Sequence, residues 1–341
     1  MIQVLSAAVI WALVLCLLNG IKHRKDHSIL VAAVTIAAAL TLNIDGIYLA
    51  GDRLLGSRNV LDLCSSTLMV VGIYYLSRAI IRAADLNDTD GHHQSGGLWA
   101  LGLVVVALTV SFSFIESPQT STAFMVDYGD QWAAAAYSSI QFLYIGVVVS
   151  VTGFTCFKFR SEMAKRYFRV AFTFIGIGCS LALVLVVDVL TMDILHLGGQ
   201  IKAMKQLSLV FDVAQVGAMV FLCLGLALPP VARRLERSTD SRTTAYFVDR
   251  LTEPWSRLTA TRSQGRLTVS ESVFDSQEAL KYRLHRMLVE IQDALFLDPD
   301  LAELLDARDI QVLGKAEEHL QARLAARDHR RSTPLRRDPH L

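Results

Sequence analysis

The chain has 341 residues, of which 52% are hydrophobic and 19% are charged, and its formal net charge is +1. A soluble globular domain rarely combines so large an apolar fraction with so few charges. The composition therefore argues against a soluble protein. The near-zero net charge says little about partners, and no nucleic-acid partner is expected.

Apolar stretches fill the first two thirds of the chain. A bilayer-spanning helix needs roughly 20 mainly apolar residues, and most of these stretches lack the polar stripe that a soluble amphipathic helix carries. The sequence therefore predicts an all-α, polytopic membrane protein with seven transmembrane helices in residues 1–230 and the lipid bilayer as its surroundings. The predicted spans are 2–20, 28–50, 59–81, 98–116, 131–157, 168–190 and 206–228.

The first span differs from a cleaved signal peptide. No Lys or Arg precedes Lys22, and no small-residue cleavage site follows the apolar stretch. Secretory signals carry both features. This span is therefore expected to stay in the mature protein.

All five cysteines fall inside predicted spans. None belongs to a C-x-x-C pair or stands beside histidines at metal-ligand spacing, so we expect neither a disulfide framework nor a zinc site. No metal and no cofactor are predicted. The cysteines are Cys16, Cys64, Cys156, Cys179 and Cys223.

The distribution of Lys and Arg among the short loops predicts the orientation. Cytoplasmic loops of membrane proteins are enriched in these residues. One side would carry Lys22, Arg24, Lys25, Arg78, Arg82, Lys158, Arg160, Lys165, Arg166, Arg169, Arg233, Arg234 and Arg237, and the other only Arg53, Arg58, Lys202 and Lys205. We therefore expect a multi-pass protein of a bacterial plasma membrane, with its N-terminus outside the cell and its C-terminus in the cytoplasm.

Four acidic residues lie within the predicted spans and map to the outer third of the membrane. Ionisable groups in spans are costly and commonly mark functional sites. If four of the spans converge, these groups would form an outward-facing pocket for a proton, a metal cation or an amine. The alternative is that they form ion pairs with Arg53, Arg58, Lys202 or Lys205, or sit at hydrated helix ends. The ligand-binding candidates are Asp45, Asp62, Asp188, Asp212 and Gln215.

Residues 231–328 are charged and amphipathic, and they predict a cytosolic helical domain. Pro229-Pro230 is expected to end the last span, because proline lacks the backbone donor of a helix. The clearest helix is predicted over Ser276–Leu295, with an apolar stripe at helical spacing. This stripe either packs against the other tail helices or docks a protein, and its docking candidates are Leu284, Met287, Leu288, Ile291 and Leu295. Residues 329–341 are predicted to be disordered.

The chain carries no motif of a known catalytic class. It contains no G-x-x-x-x-G-K-S/T phosphate loop, no kinase signature and no H-E-x-x-H zinc helix. We therefore expect a protein that is not an enzyme. Its partner hypotheses are a cytosolic protein bound through the C-terminal helices and assembly into a homo-oligomer.

One resemblance rests on two features together: seven predicted spans with the N-terminus outside, and the tail sequence LHRMLVEIQDALFLDP over residues 284–299. The chain resembles actinobacterial membrane proteins that are often labelled transporters and that carry a C-terminal helical domain of unknown function. The resemblance implies a seven-span fold with a helical tail. It implies no catalytic residue.

Two functions are weighed most heavily. The first is a sensor or receptor-like module that couples an outward-facing acidic pocket to a cytosolic, partner-binding helical domain. The second is a transporter of a cation or an amine-bearing small molecule, although no proline interrupts the predicted spans and no internal repeat is evident. A scaffold or a membrane-embedded enzyme is a third class.

Overall fold

The computed structural model of the protein describes residues 2–18, 27–84, 92–163, 165–260 and 276–332. Within these ranges the regular structure is entirely helical. The chain divides into an N-terminal unit, Met1–Ala232, and a C-terminal unit, Arg233–Leu341. The division falls close to the predicted domain boundary after residue 230.

The helices of the N-terminal unit follow the apolar stretches of the sequence, with charged or turn-forming residues between most of them. They are α1 Ile2–Leu18, α2 Ser28–Leu42, α3 Asp45–Leu54, α4 Val60–Ala84, α5 His92–Ser113, the short α6 Phe124–Tyr128, α7 Trp132–Phe159, α8 Arg166–Leu197 and α9 Ile201–Thr259.

Several of these helices have the length and composition of membrane spans. In the described part of the chain, five are long and apolar enough to cross a membrane, or six if α2 and α3 together form one bent span. The predicted first span corresponds to α1, whose described apolar part, Gln3–Leu18, is shorter. These helices indicate a membrane-embedded protein, while seven spans and their orientation stay predictions.

The predicted continuous span over 28–50 is wrong, because the structure breaks it. α2 and α3 meet at an angle of 85°, with Asn43 and Ile44 between them and Ile44 in an extended conformation. Asn and Asp favour helix ends over helix interiors, because their side chains compete for backbone hydrogen bonds. Asp45 then occupies the first turn of α3, where the helix dipole favours a negative charge.

The N-terminal unit is packed around α4, α7 and α8. α7 lies against both α4 and α8, and α4 also packs on α2. Their buried apolar side chains form one cluster that includes Ile80, Val149 and Phe172. Other large apolar side chains face outward: Leu103, Phe154 and Leu209 are 72%, 69% and 70% exposed. An apolar exterior of this kind suits contact with lipid.

The predicted end of the last span at Pro229-Pro230 is also wrong, because α9 continues through both prolines to Thr259. A proline removes one backbone donor, but its fixed φ near −65° is close to the helical value. In membrane helices, neighbouring groups commonly satisfy the carbonyls that a proline leaves free. α9 also contains Pro254.

Three helices form the core of the C-terminal unit: the last part of α9, α10 Ser276–Leu297 and α11 Ala307–Ser332. A 3-10 helix, Pro299–Leu304, links the last two, and the Asp298 carboxylate accepts a hydrogen bond from the Asp300 amide at its start. α11 includes residues 329–332, which were predicted to be disordered. The rest of that predicted segment lies outside the described residues.

The docking candidates of the tail are buried inside this unit. Leu284, Met287 and Leu288 pack against Phe247 and Leu251 of α9. Ile291 and the partly buried Leu295 belong to the adjoining cluster around Leu258. The apolar stripe therefore packs within the tail, which is the alternative to docking, and Leu284, Met287, Leu288 and Ile291 are buried there.

Candidate functional site: an acidic cavity

Three of the four predicted acidic residues line one cavity of the N-terminal unit, with a volume of about 670 Å³. We call it the acidic cavity. Its lining comes from α1, the α2–α3 break, α4, α9 and the segment around α6. The lining residues are Gln3, Ser6, Leu40, Asn43, Asp45, Tyr48, Asp62, Ser121, Thr122, Ala123, Phe124, Met125, Val126, Phe211, Asp212 and Gln215.

The carboxylates reach this cavity from three different helices. Asp45 and Asp62 stand in the first turns of α3 and α4. Asp212 and Gln215 both lie on α9, three residues apart, so they share one face of that helix. The bend between α2 and α3 brings Asn43 to the cavity beside Asp45. Four of the five candidate residues thus line one space.

Asp188 is separate from this group. It lies on α8, is 6% exposed and does not line the acidic cavity. Its Oδ2 atom has no hydrogen-bond partner among the described residues. The predicted convergence of all four spans at a single pocket therefore does not include the Asp188 carboxylate.

Asp62 has a partner that the sequence did not indicate. The Tyr137 hydroxyl of α7 donates a 2.8 Å hydrogen bond to Oδ2 of Asp62. The Ser65 hydroxyl, one turn further along α4, donates to the backbone carbonyl of Asp62. A tyrosine in an apolar span needs a hydrogen-bond partner for its hydroxyl. This requirement is the sequence feature that could have indicated a polar contact for Tyr137.

A buried polar network supports the cavity wall at its loop side. Asp52 is fully buried, and its carboxylate accepts hydrogen bonds from the Asn59 amide at 2.9 Å and the Thr120 hydroxyl at 2.6 Å. The Asn59 side chain accepts from the Tyr48 hydroxyl and the Ser121 amide. The network ties the α3–α4 loop to the segment before α6. Two partners of Asn59 in this network, Tyr48 of α3 and Ser121 of the segment before α6, line the acidic cavity.

Asn59 also fits its backbone position. Its φ is +56°, in the left-handed region that Asn tolerates better than most residues. Its side chain donates a third hydrogen bond, to the Gln119 carbonyl at 2.9 Å. Asp52 lies between the predicted spans 28–50 and 59–81 and Asn59 begins the second of them, so the span pattern does not indicate that the two side chains are buried together.

Within the described residues, several polar groups of the cavity make no hydrogen bond to the protein. Ser6 is only 4% exposed, and in the described part of the chain its hydroxyl makes no hydrogen bond; the same holds for the side chains of Asp212 and Gln215. Buried polar groups are normally hydrogen-bonded to protein or water. The acidic cavity therefore offers unsatisfied acceptors to a polar ligand.

The alternative prediction was that the acidic residues form ion pairs with nearby basic residues. The described residues do not form these pairs. No ion pair within those residues joins Asp45, Asp62 or Asp212 to Arg53, Arg58 or Lys202. The side chain of Lys205 lies outside the described part. No group of three or more His, Cys, Asp or Glu side chains in the described ranges is arranged to hold a metal ion.

A second cavity of about 330 Å³ lies within the same unit. We call it the apolar cavity, because most of its lining side chains are aliphatic or aromatic. It is enclosed by residues of α1, α2, α4, α7, α8 and α9, among them Leu13, Ile36, Met69, Ile145, Ala182 and Leu222.

Comparison of the chain with profiles of known protein families, with characterised proteins and with solved structures found no match.

Proposed function

We propose that the protein is a membrane-embedded, receptor-like module whose acidic cavity binds a cationic, amine-bearing small molecule. The observation that carries this proposal is the convergence of Asp45, Asp62 and Asp212 on one cavity. Carboxylates that form no ion pair within the described residues favour a cation, since charge-assisted hydrogen bonds are stronger than neutral ones.

The dimensions and donor set of the cavity favour an organic amine over a bare ion. A volume of about 670 Å³ is in the range of small-molecule sites. The carboxylates and the carbonyl oxygens of Asn43 and Gln215 can accept from an ammonium group, which has only donors to offer. Phe124 and Phe211 also line the cavity and add apolar contact area.

A receptor role is supported by the composition of α9. This helix supplies Asp212 and Gln215 to the acidic cavity and Phe247 and Leu251 to the core of the C-terminal unit. α9 therefore continues from the N-terminal unit into the C-terminal unit. In this proposal the acidic cavity faces outside, the C-terminal unit lies in the cytoplasm, and a cytosolic protein binds a tail surface other than the buried stripe of α10.

Transport is the second candidate, and the break between α2 and α3 favours it. Many transporters place their substrate at discontinuous helices, where unwound backbone meets the ligand. Here the break carries Asn43 and Asp45, and both line the acidic cavity. This function agrees with the resemblance to proteins labelled transporters.

Equilibrium binding of an alkylammonium probe to the protein in lipid nanodiscs tests the shared part of both functions. Asp62→Asn and Asp212→Asn are each expected to weaken binding about tenfold or more, because each removes a charge-assisted contact. Asp130→Asn, at an exposed acid that does not line the cavity, is the matched control. Equal binding by all four proteins would refute the acidic site.

Flux in proteoliposomes then separates the two functions. A receptor binds the amine without moving it, whereas a carrier accumulates it inside vesicles at a rate that falls in Asp62→Asn and Asp212→Asn. Flux that is the same in both variants and in the wild-type protein would remove these carboxylates from any transport mechanism.

A further inference from the structure

We infer that the ligand is an amphiphilic amine, with its ammonium head in the acidic cavity and an alkyl chain in the apolar cavity. This inference rests on the proposed function and narrows it to a substrate class. It starts from the placement of the two cavities, which share four lining residues: Leu40, Asn43, Phe211 and Gln215. The two cavities are therefore adjacent, separated by the side chains that they share.

The apolar cavity has the chemistry of a hydrocarbon site. Its two buried hydroxyl groups are hydrogen-bonded within the protein: the Ser77 and Thr152 hydroxyls lie 2.8 Å apart, and the Thr152 hydroxyl donates to the Val148 carbonyl at 2.7 Å. Neither hydroxyl therefore requires a hydrogen bond from a ligand. The surrounding aliphatic side chains favour methylene groups, whose burial is the main source of affinity in such pockets.

The shared wall marks the change from polar to apolar lining. Asn43 and Gln215 provide its polar groups, and Leu40 and Phe211 provide its apolar surface. On the acidic side lies Ser6, which is 4% exposed and has no hydrogen-bond partner in the described part of the chain. An ammonium head satisfies such acceptors, while a hydrocarbon chain alone leaves them unpaired.

A small hydrophilic amine would leave the apolar cavity unfilled, and a neutral lipid would leave the carboxylates without a counter-charge. Only a molecule with both parts matches both linings. The polar end must be cationic, because Asp62 and Asp212 face it. The apolar end must be limited in length, because the apolar cavity measures only about 330 Å³.

A chain-length series tests this inference on the wild-type protein in nanodiscs. The probes are ethyl-, butyl-, hexyl-, octyl-, decyl- and dodecylammonium, and binding to empty nanodiscs is subtracted. Affinity, referred to the free aqueous probe, is expected to rise about fourfold for each added methylene and then to level off once the apolar cavity is full. Partition into lipid does not level off in this range, so the plateau identifies the cavity.

Neutral and anionic probes supply the second arm. Octanol and octyl sulfate are expected to bind about tenfold or more weakly than octylammonium, because octanol brings no positive charge to the carboxylates and octyl sulfate is repelled by them. Equal binding of octanol and octylammonium would overturn the proposed head site and the proposed function with it.

The inference and the proposed function fail in different ways. If ethylammonium binds, depends on Asp62 and is not improved by longer chains, the amphiphile inference is overturned and the acidic site stands. If no ammonium probe binds above the empty nanodisc, both are overturned.

Filling the apolar cavity gives an independent check. Ala182→Leu adds volume at its wall and is expected to move the plateau to a shorter chain while leaving ethylammonium binding unchanged. Ala100→Leu, at an exposed position of α5, is the matched control. An unchanged plateau in a folded Ala182→Leu protein contradicts the inference, and the wild-type series decides the question if that variant does not fold.

Discussion

The Tyr137 hydroxyl of α7 and the Asp62 carboxylate of α4 are joined by a 2.8 Å hydrogen bond. Tyr137 is 2% exposed, so its hydroxyl has little access to solvent. α4 and α7 pack directly against each other. The bond thus links two core helices at the point where Asp62 reaches the acidic cavity.

Tyr137→Phe is expected to lower the free energy of unfolding in detergent micelles by about 1–3 kcal/mol, because it leaves a partly buried carboxylate without its donor. Tyr144→Phe is the control, since the Tyr144 hydroxyl of the same helix makes no hydrogen bond within the described residues. A double-mutant cycle with Asp62→Ala should show coupling between the two side chains. Additive effects would mean that the bond contributes nothing.

Asp52→Ala is expected to destabilise the protein by about 3 kcal/mol or more, because the Asn59 amide and the Thr120 hydroxyl lose their buried acceptor. It should also weaken alkylammonium binding, since the same network holds Tyr48 and Ser121, which line the acidic cavity. Asp130→Ala, at an exposed acid, is the control. Thermal unfolding and probe binding measure the two effects; unchanged binding in a folded Asp52→Ala protein would separate the network from the site.

The sequence predicted the fold class and part of the site because membrane solvation acts on single residues. A long apolar stretch must be helical, and an acid inside it is conspicuous, as Asp62 and Asp212 were. Contacts between residues far apart in sequence could not be predicted in this way. Tyr137, for example, contacts Asp62 across 75 residues of sequence. The continuity of α9 through Pro229 was not predicted, because it depends on groups that satisfy the carbonyl left free by the proline, and the sequence does not show these groups.

Close helix packing gives a further prediction at Gly225. A Cβ atom there would lie 2.6 Å from Cγ1 of Ile175 and 2.9 Å from the Ala171 carbonyl oxygen, so α8 and α9 would have to separate. Gly225→Ala is therefore expected to lower the unfolding temperature, although alanine normally favours a helix. Gly102→Ala, where nothing lies within 4 Å, should be neutral or stabilising. An equal response at the two positions would contradict the close contact.

Leu284→Ala tests whether the apolar stripe of α10 is a core or a docking surface. Leu284 is fully buried against α9, whereas Leu297 of the same helix is 60% exposed. Truncating a buried leucine costs about 2–5 kcal/mol, so amides of α10 should exchange hydrogen much faster in Leu284→Ala. Leu297→Ala should leave that exchange unchanged. Slow exchange in both variants would show that the stripe does not hold the tail together.

His319 makes the stability of the C-terminal unit depend on pH. Burial and then the nearby Lys281 lower the pKa of His319 below its usual 6.5, although Asp240 lies 3.7 Å from its Nε2 atom. Below pH 6.5 the unfolded chain binds a proton that the folded chain still excludes. Stability is therefore complete above that pH and is lost as the pH falls toward the folded-state pKa.

His319→Gln should remove this acid-side loss, as measured by hydrogen exchange of α10 amides in the full-length protein between pH 7 and pH 5 after correction for intrinsic exchange rates. His285→Gln, at an exposed position of α10, should retain the wild-type pH dependence. The α10 amides of the wild-type protein should exchange faster at the lower pH, because protonation of His319 favours the unfolded tail over the folded one. If His319→Gln keeps the same pH dependence as His285→Gln, another group controls the acid response of the tail.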